Sequence, residues 1–352
     1  MSKKIYFITT EIIPFANVSN IAGFSTYIPY NLQELGHDIR TILPKYGFIS
    51  ERKYILREVI RLREIPFEFC GNQEIASAKS AFIPKTRVQV YFLEDEYWFK
   101  PLTNLLYKSK NGRVLTDNAK RYAYYAKAVI STLPHLFWVP DIFVCNGWQS
   151  ALVPNIYKEH YEGTSEFYKN IKTVLVIHDL DEYSVVEKSD LLDIGVKIHP
   201  DLKGKKLNIY DVASYNADAI LIIDRPGKKI STKLLKKTAF KNNKKKISIF
   251  DEKDTEQVDY GPISKSLNQI ISNLSSKVTS SKFSLSIYFL TCAKNHGFPK
   301  AALPIMMPSH LVWLNISFIS SIFLTSPLPI TGMLTFSLSS FIKSQFALPL
   351  YI

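Results

Sequence analysis

The sequence predicts an α/β domain built on an open, doubly wound and mostly parallel sheet. Two observations carry this expectation. Residues 5–46 read as one βαβ unit: a short apolar run (Ile5–Thr9), a polar loop (Glu11–Gly23), a helical pattern, and then Gly36-His37-Asp38 turning the chain into a second apolar run at Ile39–Leu43. The same alternation of strand-like and helix-like stretches continues to about Ile223. Short apolar runs separated by helices are the pattern of a parallel sheet covered on both faces.

Taken in order, strands are expected at Lys4–Thr9, Ile39–Leu43, Arg87–Leu93, Ile142–Cys145, Thr173–Ile177 and Ala219–Ile223. Helices are expected at Ser25–Leu35, Asp117–Leu133, Trp148–Tyr157 and Leu207–Ala217, with Asp117 as an N-cap. Glu51–Ala78 reads as antiparallel excursions, because the apolar segments Glu58–Leu62 and Ile65–Phe69 are short and close together. These elements assign residues 1–250 to one domain. Residues 251–282 read as a polar linker with a helix pattern at Ile263–Leu274.

From Phe283 to the last residue, 352, the chain is rich in Ser, Leu, Phe, Ile and Pro, and between Lys300 and Lys343 it carries no formal charge apart from His310. Leu311–Thr325 and Leu328–Ile342 are apolar but short for membrane spans, with Pro327 and Pro329 between them. Three readings of this tail stay open: a membrane hairpin over 311–342, an extension not shaped by folding, and an added globular element.

The net charge of +13 invites a nucleic-acid partner, and its distribution argues against one. No acid follows Asp259, whereas six lysines do; setting those aside leaves 38 basic against 31 acidic residues. Nine of the 38 lie between Lys228 and Lys246, a stretch without any acid, so the remainder is close to neutral. A solvated lysine-rich face accounts for that run, and no nucleic acid is expected as a partner. Cys70, Cys145 and Cys292 show neither paired nor metal-ligand spacing, so reduced thiols, no metal and no cofactor are expected. The N-terminus enters strand-like sequence directly after Lys3-Lys4, without a signal-peptide pattern, which makes a cytoplasmic location the expectation.

Doubly wound sheets bind ligands beyond the carboxyl ends of their strands, against the start of the next helix. The segments at those positions resemble the N-terminal half of glycogen and starch synthases. Glu11, Pro14, Phe15, Leu35-Gly36-His37-Asp38, Arg40, Pro44 and Tyr46-Gly47 match that family's first unit. The resemblance continues in Val90-Tyr91-Phe92-Leu93 with Asp95, in Asp117-Asn118 and Arg121-Tyr122, and in Pro140-Asp141-Ile142 through Asn146-Gly147-Trp148-Gln149 to Leu152. Lys172-Thr173-Val174 through His178-Asp179-Leu180 completes it, giving consistent order over about residues 4–225. The resemblance implies the Rossmann-like N-terminal half of a two-domain glycosyltransferase fold, with a non-homologous tail. It implies retaining glucosyl transfer from ADP-glucose, or a related donor, to an α-1,4-glucan. The expected partners are therefore an α-glucan, a sugar nucleotide held weakly if at all, and a separately encoded C-terminal-domain partner.

His178 is the leading site candidate, directly after an apolar strand; the resemblance gives it a hydrogen bond on the glucosyl side. Glu11, Asn17, Ser19, Asn20, Asn146, Trp148 and Gln149 are the further candidates, with Trp148 read as packing more than as a sugar platform. The loop departs from the family. Asn17, Ser19 and Asn20 stand where a lysine and two glycines approach the nucleotide phosphates, and Gly147 and Gly23 replace acids. Lysine supplies charge there and glycines let backbone N–H groups come close. After Ile223 the remaining residues do not read as a second α/β layer. The expectation is a domain that is inactive or partner-dependent as this chain, with a non-catalytic α-glucan-binding or regulatory module as the alternative.

Overall fold

A computed structural model of the protein describes residues 2–103, 105–109, 111–252 and 258–275. The apolar tail, including the hairpin reading of 311–342, lies outside these residues. The strands are β1 (Lys4–Ile8), β2 (Asp38–Pro44), β3 (Arg57–Glu58), β4 (Ile65–Phe69), β5 (Asn72–Phe82), β6 (Gln89–Glu94), β7 (Ile142–Asn146), β8 (Lys172–Ile177), β9 (Val185–Glu187), β10 (Lys206–Asn208), β11 (Ala219–Asp224) and β12 (Ile247–Asp251). The helices are α1 (Asn20–Glu34), α2 (Glu51–Tyr54), α3 (Asn118–Leu136), α4 (Val153–Ile156), α5 (Lys188–Asp193), α6 (Ile209–Asn216), α7 (Ile230–Leu235) and α8 (Thr238–Asn242). A further helix over 260–275 is called α9.

Ten strands form the main sheet, in the order β12-β11-β8-β7-β1-β2-β6-β5-β3, with β4 paired to β5. All pairings from β12 to β6 are parallel, and the β3, β4 and β5 ladders are antiparallel. This is the doubly wound, mostly parallel sheet that the alternation predicts. The chain builds outward from β1 first toward β2 and β6, then returns to add β7, β8, β11 and β12 on the other side. The order reverses between β1 and β7, and a ligand crevice is expected beyond the carboxyl ends of those strands.

Side-chain alternation sends β1 into two cores. Ile5 and Phe7 face α1 residues Phe24, Ile28 and Leu32, whereas Tyr6 and Ile8 join the larger cluster with α3. α3 is almost wholly buried. It is also tied to the strand ends, because the Tyr125 hydroxyl donates to the carbonyls of Thr9 (2.6 Å) and Ile42 (2.9 Å).

Several elements differ from expectation. α1 starts at Asn20, five residues before Ser25, because the Ser19 side chain accepts from the Ile21 N–H and caps the helix. Asp117 stands at the N-cap of α3 but makes no capping bond; its carboxylate pairs with Arg121 instead. Residues 148–157 are a 3₁₀ turn (Trp148–Ser150) followed by α4, not one continuous helix. β5 and β12 were not expected as strands.

The segment expected as a polar linker contains α9. Ile263, Leu267, Ile270, Ile271 and Leu274 recur at helical spacing and are buried in the same core as Phe24, Ile28 and Leu32 of α1. The sheet face beside α1 is therefore completed from beyond residue 250. Two hydrogen bonds fix the contact: Asn31 Nδ2 donates to Ser264 Oγ (3.0 Å), and His37 Nε2 meets Asn268 Oδ1 (2.9 Å). No described helix is long and apolar enough to cross a membrane.

Candidate functional site

Four strands end in polar residues at one edge of the sheet: β1 in Thr9-Thr10-Glu11, β7 in Asn146-Gly147, β8 in His178-Asp179 and β11 in Asp224-Arg225. A hydrogen-bond chain joins three of these ends, those of β1, β7 and β8. Asn146 Nδ2 donates to Ser25 Oγ (2.8 Å), Ser25 Oγ lies 2.7 Å from Thr9 Oγ1, and Asn146 Oδ1 meets His178 Nε2 at 2.5 Å. An amide oxygen can only accept, so Nε2 carries the proton and Nδ1 presents a lone pair. Nδ1 is buried and has no partner among the described residues. The pKa of His178 is pushed down to about 3, first by burial and then by the charge of Arg225, so the ring stays neutral through the physiological range. A neutral imidazole with a free acceptor nitrogen is suited to accept a hydrogen bond from a hydroxyl without adding charge. Phe24 packs edge-on against the ring, with centroids 4.6 Å apart.

A cavity of about 310 Å³ opens beside this histidine, lined by Asn20, His178, Arg225, Lys228, Glu252 and Tyr260 among others. Its charges are internally paired. Arg225 Nε donates to Glu252 Oε2 (2.9 Å), Arg225 Nη1 lies 3.6 Å from Asp179 Oδ2, and Lys228 Nζ lies 3.8 Å from Asp179 Oδ1. Burial raises the pKa of Asp179, and Arg225 counters it. No set of His, Cys, Asp and Glu among the described residues is placed to hold a metal ion.

The loop after β1 is the second half of the site. Glu11 is fully buried, and its carboxylate accepts from the backbone N–H of Val18 (2.8 Å) and Ser19 (2.7 Å) and from the Ser19 hydroxyl (2.9 Å). Burial raises its pKa, and these three bonds partly offset that. The N–H groups leading into α1 are the kind that receive a phosphate oxygen. Here an internal carboxylate already occupies them.

The expected residues thus fall into groups. Asn146 and His178 touch; Glu11 and Ser19 touch; Asn20 shares the cavity with His178. Asn17 lies exposed on the loop, outside both groups. Trp148 is buried edge-on against Tyr122 (4.9 Å) and Tyr107 (5.5 Å), as a packing residue. Gln149 is buried, and its Oε1 has no partner among the described residues.

Both glycine departures have structural reasons. Gly147 has φ 82° and ψ 172°, a region essentially restricted to glycine. A Cβ there would stand 2.6 Å from Ile21 Cδ1 and 2.8 Å from Gln149 Oε1. At Gly23 a Cβ would run into the Tyr260 hydroxyl, and Tyr260 stacks on Tyr27 with centroids 5.0 Å apart. The sequence reading missed Arg225, Asp179, Glu252 and Tyr260. The signal available for Arg225 and Asp179 was position, since each follows an expected strand of the parallel sheet; Glu252 follows β12, which the sequence does not reveal.

The comparisons with known proteins agree with this architecture. The family model described as the starch synthase catalytic domain matches residues 4–226. A glycogen synthase of Pelodictyon phaeoclathratiforme is 33% identical over 177 residues, which is 50% of this chain and 36% of that protein. One of Chlorobaculum tepidum is 30% identical over 220 residues, covering 62% of this chain and 45% of that protein. The catalytic domain of starch synthase IV from Arabidopsis thaliana, solved with ADP and acarbose, shares the fold with a TM-score of 0.60 and 18% identity, over 71% of this chain and 51% of that one. The chain spans less than half the length of these two curated relatives. Its sheet, its strand-end residues and the match over 4–226 show that it carries a glycogen/starch synthase-like glycosyltransferase domain and belongs to the starch synthase catalytic domain family.

Proposed function

We propose that this domain supplies the glucan-side wall of a site for glucosyl transfer from ADP-glucose to an α-1,4-glucan, and that the chain by itself does not turn over. The observation that carries the second half is the loop after β1, where uncharged, exposed Asn17 stands in the place the resemblance gives to a lysine. A diphosphate entering this loop meets no cation there, and the Val18 and Ser19 N–H groups already donate to Glu11. Losing one charged hydrogen bond costs about 1.5–3 kcal/mol, and transfer chemistry depends on charge preplaced at the departing group. Arg225 and Lys228 do not substitute, because Glu252 and Asp179 already pair with them. Donor charge would have to come from a partner carrying the second half of the fold, in the cytoplasm.

The sugar side is better preserved. His178 offers its free Nδ1 beside a cavity, held in one tautomer by Asn146. This favours a second reading, a non-catalytic α-glucan-binding or regulatory module. Calorimetric titration of the protein with maltooligosaccharide tests the part common to both. His178→Ala should weaken binding by about 1–2 kcal/mol, the worth of a hydrogen bond to a neutral hydroxyl. Equal affinity in the wild type and a folded His178→Ala variant would remove His178 from the site. A partner chain that restores transfer favours the split enzyme; binding without transfer under any pairing favours the module.

A further inference from the structure

Away from the strand ends, the outer side of α3 carries a cavity of about 600 Å³ that shares no lining residue with the one beside His178. Its walls come from the β4–β5 hairpin (Phe67, Glu68), the second half of α3 (Lys127, Ser131) and the segment around His160 and Tyr161. Lys127 is its notable feature. The residue is 8% exposed, and its ammonium donates to the Glu68 carbonyl oxygen (3.1 Å). No carboxylate among the described residues pairs with it, although such an ammonium has three protons to place. Burying a cation without a counter-ion is costly, so buried charges are ordinarily paired.

The neighbouring groups complete a recognisable chemistry. The Tyr161 hydroxyl donates to the Lys127 carbonyl (3.3 Å), so in the 2.9 Å contact between Ser131 Oγ and Tyr161 Oη the serine is the donor. Lone pairs on both oxygens remain for incoming hydroxyls. Partial burial and then the Lys127 charge push the His160 pKa down, against a hydrogen bond from the ring to the Gly195 backbone, so the second ring nitrogen is the one left to accept from a ligand hydroxyl. Phe67 and Tyr168 add apolar ring surface to the lining. Two carboxylates, Glu68 and Asp193, also line the cavity, but both residues are exposed and solvent screens them more than the buried ammonium.

We infer that this cavity is a binding site for a small organic anion with a hydroxylated body, its phosphate or carboxylate head on Lys127 and its hydroxyls on Ser131, Tyr161 and His160. The bound anion would supply the counter-ion that Lys127 lacks. It is independent of the glucosyl site and does not depend on the reading of that site.

The test uses three hexose probes that differ in the head group, titrated by calorimetry into the full chain at low salt: glucose 6-phosphate, gluconate and glucose. Glucose 6-phosphate or gluconate should bind, and glucose should bind at least roughly tenfold more weakly, as expected for loss of a charged hydrogen bond. Binding of the phosphate ester alone identifies a phosphate site, and equal binding of gluconate identifies a general anion site. Lys127→Met should remove the preference for the charged probes. Glu68→Gln, at an exposed position, should tighten their binding, because it removes a repelling charge; this variant keeps the test decisive if Lys127→Met does not fold. Two results would overturn the inference: no charged probe binding at millimolar concentration, or binding of all three that neither substitution alters. Weaker binding in Glu68→Gln would also overturn it, since carboxylates that help are the mark of a neutral sugar site.

Discussion

Leu267 tests whether α9 belongs to the domain. The side chain is fully buried between α1 and the sheet, in a core with Phe24, Ile28, Ile263 and Ile271. Truncating a buried leucine to alanine removes its transfer free energy and leaves a cavity, at a cost of about 2–5 kcal/mol. With a urea m-value of about 3 kcal/mol/M for a domain this size, the midpoint of Leu267→Ala should fall by roughly 0.7–1.7 M. Lys265 lies on the exposed side of the same helix. Lys265→Ala should therefore stay within about 0.5 kcal/mol of wild type. Urea unfolding followed by tryptophan fluorescence measures both. Equal midpoints for Leu267→Ala and Lys265→Ala would refute the packing of α9 and return residues 260–275 to the status of a linker. A chain ending at residue 250 should, on the same reasoning, be markedly less stable than one ending at 275.

Acid stability should carry the signature of His178. Its folded-state pKa of about 3 lies below the unfolded value near 6.5, so its contribution is complete above pH 6.5 and declines as pH falls toward 3, by about 1.4 kcal/mol per pH unit. Glu11 acts with the opposite sign, because its raised pKa favours folding as the pH drops. A folded His178→Gln variant should show a flatter stability curve between pH 6.5 and 4, and an unchanged slope would mean that the imidazole is not buried neutral. Gly147→Asp should cost roughly 1–3 kcal/mol for its φ and ψ alone, with further loss from contact with Ile21; thermal denaturation showing no loss would contradict the backbone conformation at that position.

The parallel strands were legible because each is an unbroken apolar run, Ile142–Cys145 and Ala219–Ile223 being the plainest. β5 was not, since Asn72–Phe82 mixes small, polar and charged residues, and its buried positions Ala76, Ala78 and Ala81 are small and leave little hydrophobic signal. β12 follows a run of lysines that obscures it. α9 had the right spacing, but its polar surroundings suggested a linker; only packing against α1 shows that the stripe is covered. At the site, His178 and Asn146 could be read from their positions after strands. Their contact could not, because it depends on β7 and β8 being neighbours. The pairing of Arg225 with Glu252 and Asp179 depends in the same way on β11 standing between β8 and β12. Glu11 was visible as a strand-end carboxylate. Its occupation of the Val18 and Ser19 amides is a matter of how the loop folds back, which residue identity alone does not convey.

The proposed lack of turnover rests on the loop after β1, where Asn17 carries no charge and the Val18 and Ser19 N–H groups donate to Glu11. Its most direct test is the incorporation of labelled glucose from ADP-glucose into glycogen by the purified chain. The expected result is no incorporation above that of heat-denatured protein, including after Asn17→Lys, Ser19→Gly and Asn20→Gly are combined, because the proposed partner with the second half of the fold is not supplied and the neighbouring cations remain paired. Sustained incorporation by the unmodified chain alone would contradict the proposal and show that this loop serves a nucleotide diphosphate without a lysine at position 17.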